Sequence, residues 1–315
     1  MKLPELIIGK LKPKIPIIQG GMAVRVSTAP LVAAVANQGG IGLIGGSGMD
    51  PSELRQEISK ARDMSEGIIG VNIMVAVREF KELVNAAVTE GIDLIVAGAG
   101  FSRDIFSIGR EHDVEIVPIV SSLKLAKISE KLGASAIVVE GKEAGGHLGT
   151  DKPLKHLLHK IVGKVSLPII AAGGIIDGKD ISEMFELGVQ GVQMGSRFVA
   201  SQECEVADSF KNKYIEATEE DGQLIDSPVG LKGRALTTNF LERLEKGEIT
   251  TGDTCDYLCL KKCDKSFCIM KALIEAHDGD LNNGLVFAGE KAHLINKVLS
   301  VKDIINNLLA EIKDY

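Results

Sequence analysis

Residues 137–149 read IVVEGKEAGGHLG, an apolar strand that runs directly into a glycine-flanked histidine. Proton transfer needs a titratable group held where a ligand can come close, and this segment offers both parts. His147 is an imidazole, the side chain whose free pKa suits proton exchange near neutrality. Gly141, Gly145 and Gly146 carry no Cβ, so the backbone beside it can approach a bound molecule. Glu140 and Glu143 add carboxyl groups to the same turn. A tight turn with a chance histidine is the plainer account, and the rest of the chain decides between them.

Two later segments, PIIAAGGIIDG and GVQMGSRF, each join a short strand to a glycine turn and a helix start. Loops of this kind hold phosphate in many barrels, which makes Gly173, Gly174, Gly195 and Ser196 phosphate candidates; short turns are the alternative. PIIQGGM sets Gly21 and Met22 at the end of a strand, where a thioether can lie against a flat ring. Asn72 stands inside the apolar run GVNIM. A buried amide must be hydrogen-bonded, so it either ties loops together or holds a heterocycle. Lys124 either reaches a phosphate or is a solvated helix residue.

The elements that must position these residues follow a regular period. Apolar runs at 15–19, 41–44, 70–75, 94–97, 115–120, 136–140, 168–172 and 191–194 lack polar alternation, as parallel strands buried on both faces do. Helical spacing fills 29–37, 52–61, 80–90, 123–132 and 180–187 between them. Eight strand–helix units within about 200 residues predict a (β/α)8 TIM barrel, an α/β fold whose working residues lie at the C-terminal ends of the strands. The glycine pairs fall at those ends. A doubly wound sheet is the second choice, but its GxGxxG fingerprint is missing.

Residues 1–200 therefore read as the barrel. Residues 201–289 carry no clear buried strand and predict a helical extension over the barrel mouth. Residues 290–315 read as a closing amphipathic helix.

The 315 residues are 45% hydrophobic and 25% charged, ordinary for a globular protein. A formal charge of −7 argues against a nucleic-acid binder, which needs a basic face. No apolar run reaches the ~18 residues that span a bilayer, and the N-terminus lacks a signal peptide's apolar core. A cytoplasmic protein with a small-molecule substrate, and no nucleic-acid or membrane partner, is the expectation.

Cys255, Cys259, Cys263 and Cys268 fall within fourteen residues, while Cys204 stands apart. Clustered thiols in a cytosolic chain point to metal binding or redox work more than to disulfides. On a helix the first three would share one side, at i, i+4 and i+8. The spacing lacks the C-x2-C pairs usual for zinc, whereas iron–sulfur clusters accept varied spacing. An iron–sulfur cluster, zinc, and free or redox-paired thiols all stay open.

Taken together, PIIQGGM, GVNIM, EGKEAGGHLG, IIAAGGI, GVQMGSRF and GLKGRAL resemble, in order from about Lys14 to Asn239, the signature segments of one superfamily. It comprises the nitronate monooxygenases (formerly 2-nitropropane dioxygenases) and the flavin-type enoyl-acyl-carrier-protein reductases. The resemblance implies an FMN-containing barrel. Gly21, Met22 and Asn72 would contact the flavin, Glu140 and the Gly145-Gly146 turn would line it, and Gly174, Gly195 and Ser196 would hold its phosphate. His147 would face the substrate side. Family members often carry threonine where this chain has Ser196, which keeps the hydroxyl. FAGE at 287–290 is similar to an AGQ segment near the flavin, with Glu290 replacing the amide.

The resemblance implies oxidation of a nitronate, with reduced flavin meeting oxygen. The alternative is an NAD(P)H-dependent enoyl-thioester reductase, in which His147 or a water supplies the α-proton. A flavin- or metal-sensing protein is a third reading. A homodimer is the expected assembly.

Overall fold

The computed structural model describes residues 2–249, 255 and 257–314. Eight parallel strands close into a barrel in the order β1 (Ile17–Gln19), β2 (Ile41–Gly45), β3 (Ile68–Met74), β4 (Leu94–Gly98), β5 (Glu115–Val120), β6 (Ile137–Glu140), β8 (Ile169–Ala172) and β9 (Gly191–Met194). β9 returns to β1 with Ile17 opposite Val192 and Gln19 opposite Met194, so the sheet has no free edge. Each expected run became a strand, shifted by at most two residues at either end. Their continuous apolarity has a direct cause, since every residue of β2, β4 and β8 is buried.

Inside the barrel Ile18, Leu43, Val96, Val117, Val138 and Ile170 pack into one cluster, with Leu6, Ile8 and Leu11 of the N-terminal segment packed among them. The outer faces of the strands pack against the helices. The helix Ala29–Asn37 begins with proline in its first turn. Pro51–Met64 is capped by Asp50, whose side chain accepts from the amides of Ser52 and Glu53 at 2.8 and 2.9 Å. Helices Asp104–His112 and Leu154–Ile161 fill the two intervals that periodicity left blank.

The segment after residue 200 departs from the expected helical extension. It does hold helices, at Asp208–Ile215, Asn239–Glu245 and Ile269–His277. Its centre, however, is an antiparallel sheet of β10 (Gly222–Ser227), β11 (Leu231–Leu236) and β12 (Val286–Phe287), joined on β11 by β7 (Gly146–Leu148) from the barrel's sixth loop. This sheet, called the cap below, was hidden because β10 alternates exposed and buried residues and reads as a polar stretch. The closing helix is shorter than expected: it runs Val301–Asp314, preceded by a single turn at Ala292–Leu294. No helix among the described residues is long and apolar enough to cross a membrane.

Candidate active site

A cavity of about 250 Å³ opens at the C-terminal ends of the barrel strands, beneath the cap. Its walls carry eleven of the residues singled out from sequence: Gly21, Met22, Asn72, Glu140, Gly145, Gly146, His147, Gly173, Gly174, Gly195 and Ser196. Lys124 is not among them. It is exposed on the helix Leu123–Leu132, so the solvated reading was the correct one. The cation that lines the cavity is Lys291, next to the FAGE segment and ion-paired with Asp180. Glu290 lies outside the cavity, half exposed and 3.7 Å from Arg234.

One wall offers hydrogen-bond acceptors without partners. Asn72 donates through Nδ2 to the Gly21 carbonyl at 2.9 Å, which fixes its amide, and its Oδ1 is buried and unpaired. Gln193, at the end of β9, likewise has a buried, unpaired Oε1. Leaving two such atoms unsatisfied costs roughly 1–3 kcal/mol each, unless a ligand supplies donors. The N–H groups of a heterocycle meet that need. Gly21 has a second reason to be glycine, because a Cβ there would lie 2.4 Å from the Asn72 Cβ.

The turns after β8 and β9 form a backbone cradle at the same rim. Gly173 and Gly174 both take positive φ, +103° and +69°, a conformation that L side chains rarely adopt. A Cβ on Gly174 would stand 2.9 Å from the Glu143 side chain. The Ser196 hydroxyl accepts from the Gly289 amide at 2.9 Å, tying the loop after β9 to the cap. Small, backbone-rich and hydroxyl-bearing, this cradle suits an anionic group such as a phosphate.

His147 is held by the cap and not by a turn. It lies on β7 opposite Gly233 of β11, so the GLKGRAL segment is the strand that carries the histidine's partner. Its Nε2 lies 2.8 Å from the Ser227 hydroxyl at the end of β10. The Phe287 ring on β12 meets it edge-on, with centroids 5.1 Å apart. Phe287 is positioned in turn by Tyr214, whose buried hydroxyl donates to the Phe287 carbonyl. Ser227 and Tyr214 were not singled out from sequence, and Phe287 entered only as the first residue of the FAGE segment, because the antiparallel sheet and the helix Asp208–Ile215 bring them to His147.

Burial moves the two titratable groups in opposite directions. It pushes the His147 imidazole down to about 4, so the ring is neutral at physiological pH and is not the near-neutral proton exchanger its free pKa suggests. It pushes the Glu140 carboxyl up to about 7, so this group gains and loses a proton near neutrality.

The four clustered cysteines lie outside the cavity lining. Cys259, Cys263 and Cys268 are joined by irregular backbone, so the helical i, i+4, i+8 alignment does not form. Residues 250–254 and 256 lie outside the described residues. Among the described residues, no three His, Cys, Asp or Glu side chains stand in ligating geometry. Cys204 is a separate core thiol, buried and donating to the Val26 carbonyl.

A closed (β/α)8 barrel with a phosphate-sized cradle after its last two strands, and unpaired acceptors for a heterocycle, defines a cofactor-binding barrel enzyme. The family model for nitronate monooxygenase matches residues 5–92 and 78–311, and the chain belongs to that family. It is a flavin-dependent oxidoreductase. Among solved structures, FabK from Thermotoga maritima is 34% identical and superposes with a TM-score of 0.86, covering 96% of this chain and 94% of its own. The (3aS,4S,5R,7aS)-5-hydroxy-7a-methyl-1-oxo-octahydro-1H-indene-4-carboxyl-CoA dehydrogenase of Mycobacterium tuberculosis is 32% identical across 75% of this chain and 67% of its own length. A probable nitronate monooxygenase of Staphylococcus aureus is 28% identical across 94% of this chain and 94% of its own.

Proposed function

We propose that this protein binds FMN in the barrel-mouth cavity and reduces the carbon–carbon double bond of an enoyl thioester. The observation that carries the cofactor reading is the pairing of unpaired acceptors at Asn72 and Gln193 with the glycine cradle at Gly173-Gly174. The acceptors receive a ring with N–H donors and the cradle a single phosphate, which fits a mononucleotide. When bound, FMN supplies hydride chemistry between a nicotinamide donor, NADH or NADPH, and the substrate.

The residues of the chain divide the remaining work. With Nε2 engaged by Ser227, Nδ1 is the His147 nitrogen left to face a ligand. A Ser227 hydroxyl that donates to Nε2 makes Nδ1 a neutral N–H donor. Such a donor polarises a thioester carbonyl and stabilises negative charge on its oxygen without transferring a proton, the role of a neutral imidazole in an oxyanion site. Glu140 exchanges a proton near neutrality and is assigned the delivery of a proton to the α-carbon. The cap, resting on Phe287 and Tyr214, keeps water from the reacting carbon.

The thioester reading is supported by the likeness to FabK over nearly the whole chain and by a relative acting on a carboxyl-CoA. Nitronate oxidation is the second reading, supported by the family model and the Staphylococcus aureus relative. The same Nδ1–H would then meet a nitro oxygen. Turnover separates them. NAD(P)H-dependent, oxygen-free reduction of a short enoyl thioester is expected; oxygen consumption with propyl nitronate, and no enoyl reduction, would transfer the assignment to the second reading.

A further inference from the structure

A phosphate monoester carries about two negative charges at neutral pH, which backbone amides and one hydroxyl solvate but do not neutralise. Among the described residues that line the flavin cavity, Lys291 is the only lysine or arginine, and the His147 ring is neutral. Lys291 is therefore the one source of compensating charge in the cavity wall. Its place relative to the cradle decides whether it can serve.

The chain just before Lys291 is pinned to the cradle twice. The Gly289 amide donates to the Ser196 hydroxyl at 2.9 Å. The Glu290 amide donates to the Glu143 carbonyl at 3.0 Å, and the Glu143 side chain borders Gly174. Lys291 also lines a second cavity, of about 590 Å³, which shares Gly173, Gly174 and Ile175 with the first, so the lysine stands at the wall between them, beside the turn. Its ammonium pairs with Asp180, which is buried in the first turn of the helix Gly178–Glu186. The other carboxylate oxygen of Asp180 accepts from the Ile176 amide at 3.0 Å, two residues past Gly174. One carboxylate thus ties the ammonium to the turn that forms the cradle.

We infer that Lys291 ligates the phosphate of the bound flavin, with Asp180 holding its ammonium at the cradle, a role that rests on the FMN reading above. An ammonium carries three donors, and Asp180 takes one, which leaves donors for a phosphate oxygen. Riboflavin presents the same ring to Asn72 and Gln193 but no phosphate, so it gains nothing from the lysine. Lys291→Met removes the attraction and also uncovers the Asp180 carboxylate, whose charge then opposes the phosphate. Asp180→Asn acts in the other direction: the amide oxygen still accepts from Ile176, while the ammonium is released to the phosphate.

Titration of flavin-free, full-length protein with FMN and separately with riboflavin, followed by flavin fluorescence, tests it without any turnover. Lys291→Met should weaken FMN binding by roughly tenfold to a hundredfold, the worth of a hydrogen bond between charged groups, and leave riboflavin binding unchanged. Lys291→Arg keeps the charge and should keep most of the preference for FMN. Asp180→Asn should tighten FMN alone. If Lys291→Met does not fold, Lys291→Gln makes the same comparison. A preference for FMN over riboflavin that survives undiminished in Lys291→Met overturns the inference and leaves the FMN reading standing. Equal weakening of both flavins also overturns it, since the lysine then only supports the fold. Wild-type protein that binds neither flavin overturns both.

Discussion

In the barrel, β2 and β4 are buried at every residue, while β10 of the cap buries only Ile225 and Ser227, alternating with exposed Leu224 and Asp226. The barrel strands are fixed by apolar packing on both faces, and their C-terminal ends give the cavity backbone at Gly173 and Gly174 and the side chains of Asn72, Glu140 and Gln193. The cap is fixed by pairing to one of those loops, through β7 and β11, and it contributes side chains: His147, Ser227 and Phe287. On the proposed reading the barrel binds the cofactor and supplies Glu140, while the cap supplies the histidine that meets the substrate. Substitutions on the two sides should therefore fail in different ways.

The largest effect is expected at Gly174. Gly174→Asp places a side chain where φ is +69° and adds negative charge to the anion cradle, so the purified protein should retain no flavin and show no turnover. His147→Ala should separate the two regions most clearly. Flavin content should match wild type, while kcat falls by about 10²–10³, the usual loss for one oxyanion donor. A flavin-free His147→Ala protein would show that the cap shapes the cofactor site as well.

Ser227 tests whether the cap positions the imidazole. Ser227→Ala should lower kcat by roughly five- to tenfold, the worth of one neutral hydrogen bond of about 1 kcal/mol, with KM little changed. Ser227→Thr keeps the hydroxyl and should restore activity. Loss of activity in both variants would mean that packing, not the hydrogen bond, is what matters.

The smallest effect is a pH dependence of stability. Glu140 binds a proton more tightly in the folded state, with its pKa raised from 4.5 to about 7, so its contribution is full below about 4.5 and is lost as pH rises towards 7. His147 behaves oppositely: its pKa is lowered from 6.5 to about 4, so its contribution is present above 6.5 and is lost as pH falls towards 4. The two slopes offset in wild type. In flavin-free Glu140→Gln only the histidine slope remains, and urea midpoints should climb from pH 5 to pH 7 more steeply than in wild type.

Much of this was legible from residue order alone, for reasons the two regions make plain. A parallel strand buried on both faces writes itself as a continuous apolar run, so all eight barrel strands and the glycine turns at their ends could be read. Gly21, Asn72, Gly174 and Ser196 followed from those turns. The cap strands were missed because β10 is half exposed and β7 and β12 are only three and two residues long. Ser227 lies 80 residues from His147, and only the register of β10, β11 and β7 brings the two together. The two readings of Lys124 could not be separated, because a cation near a strand end does not reveal which way its helix turns. The shifts at His147 and Glu140 arise from burial under the cap, which a free pKa does not contain.

The assignment of cofactor binding to the barrel rests on a cradle built for one phosphate and a wall built for one ring. Chromatography of the flavin released by heat from purified protein tests that most directly. The account predicts a single species co-migrating with FMN, near one per chain. FAD in its place, or no flavin retained after incubation with FMN, would contradict it.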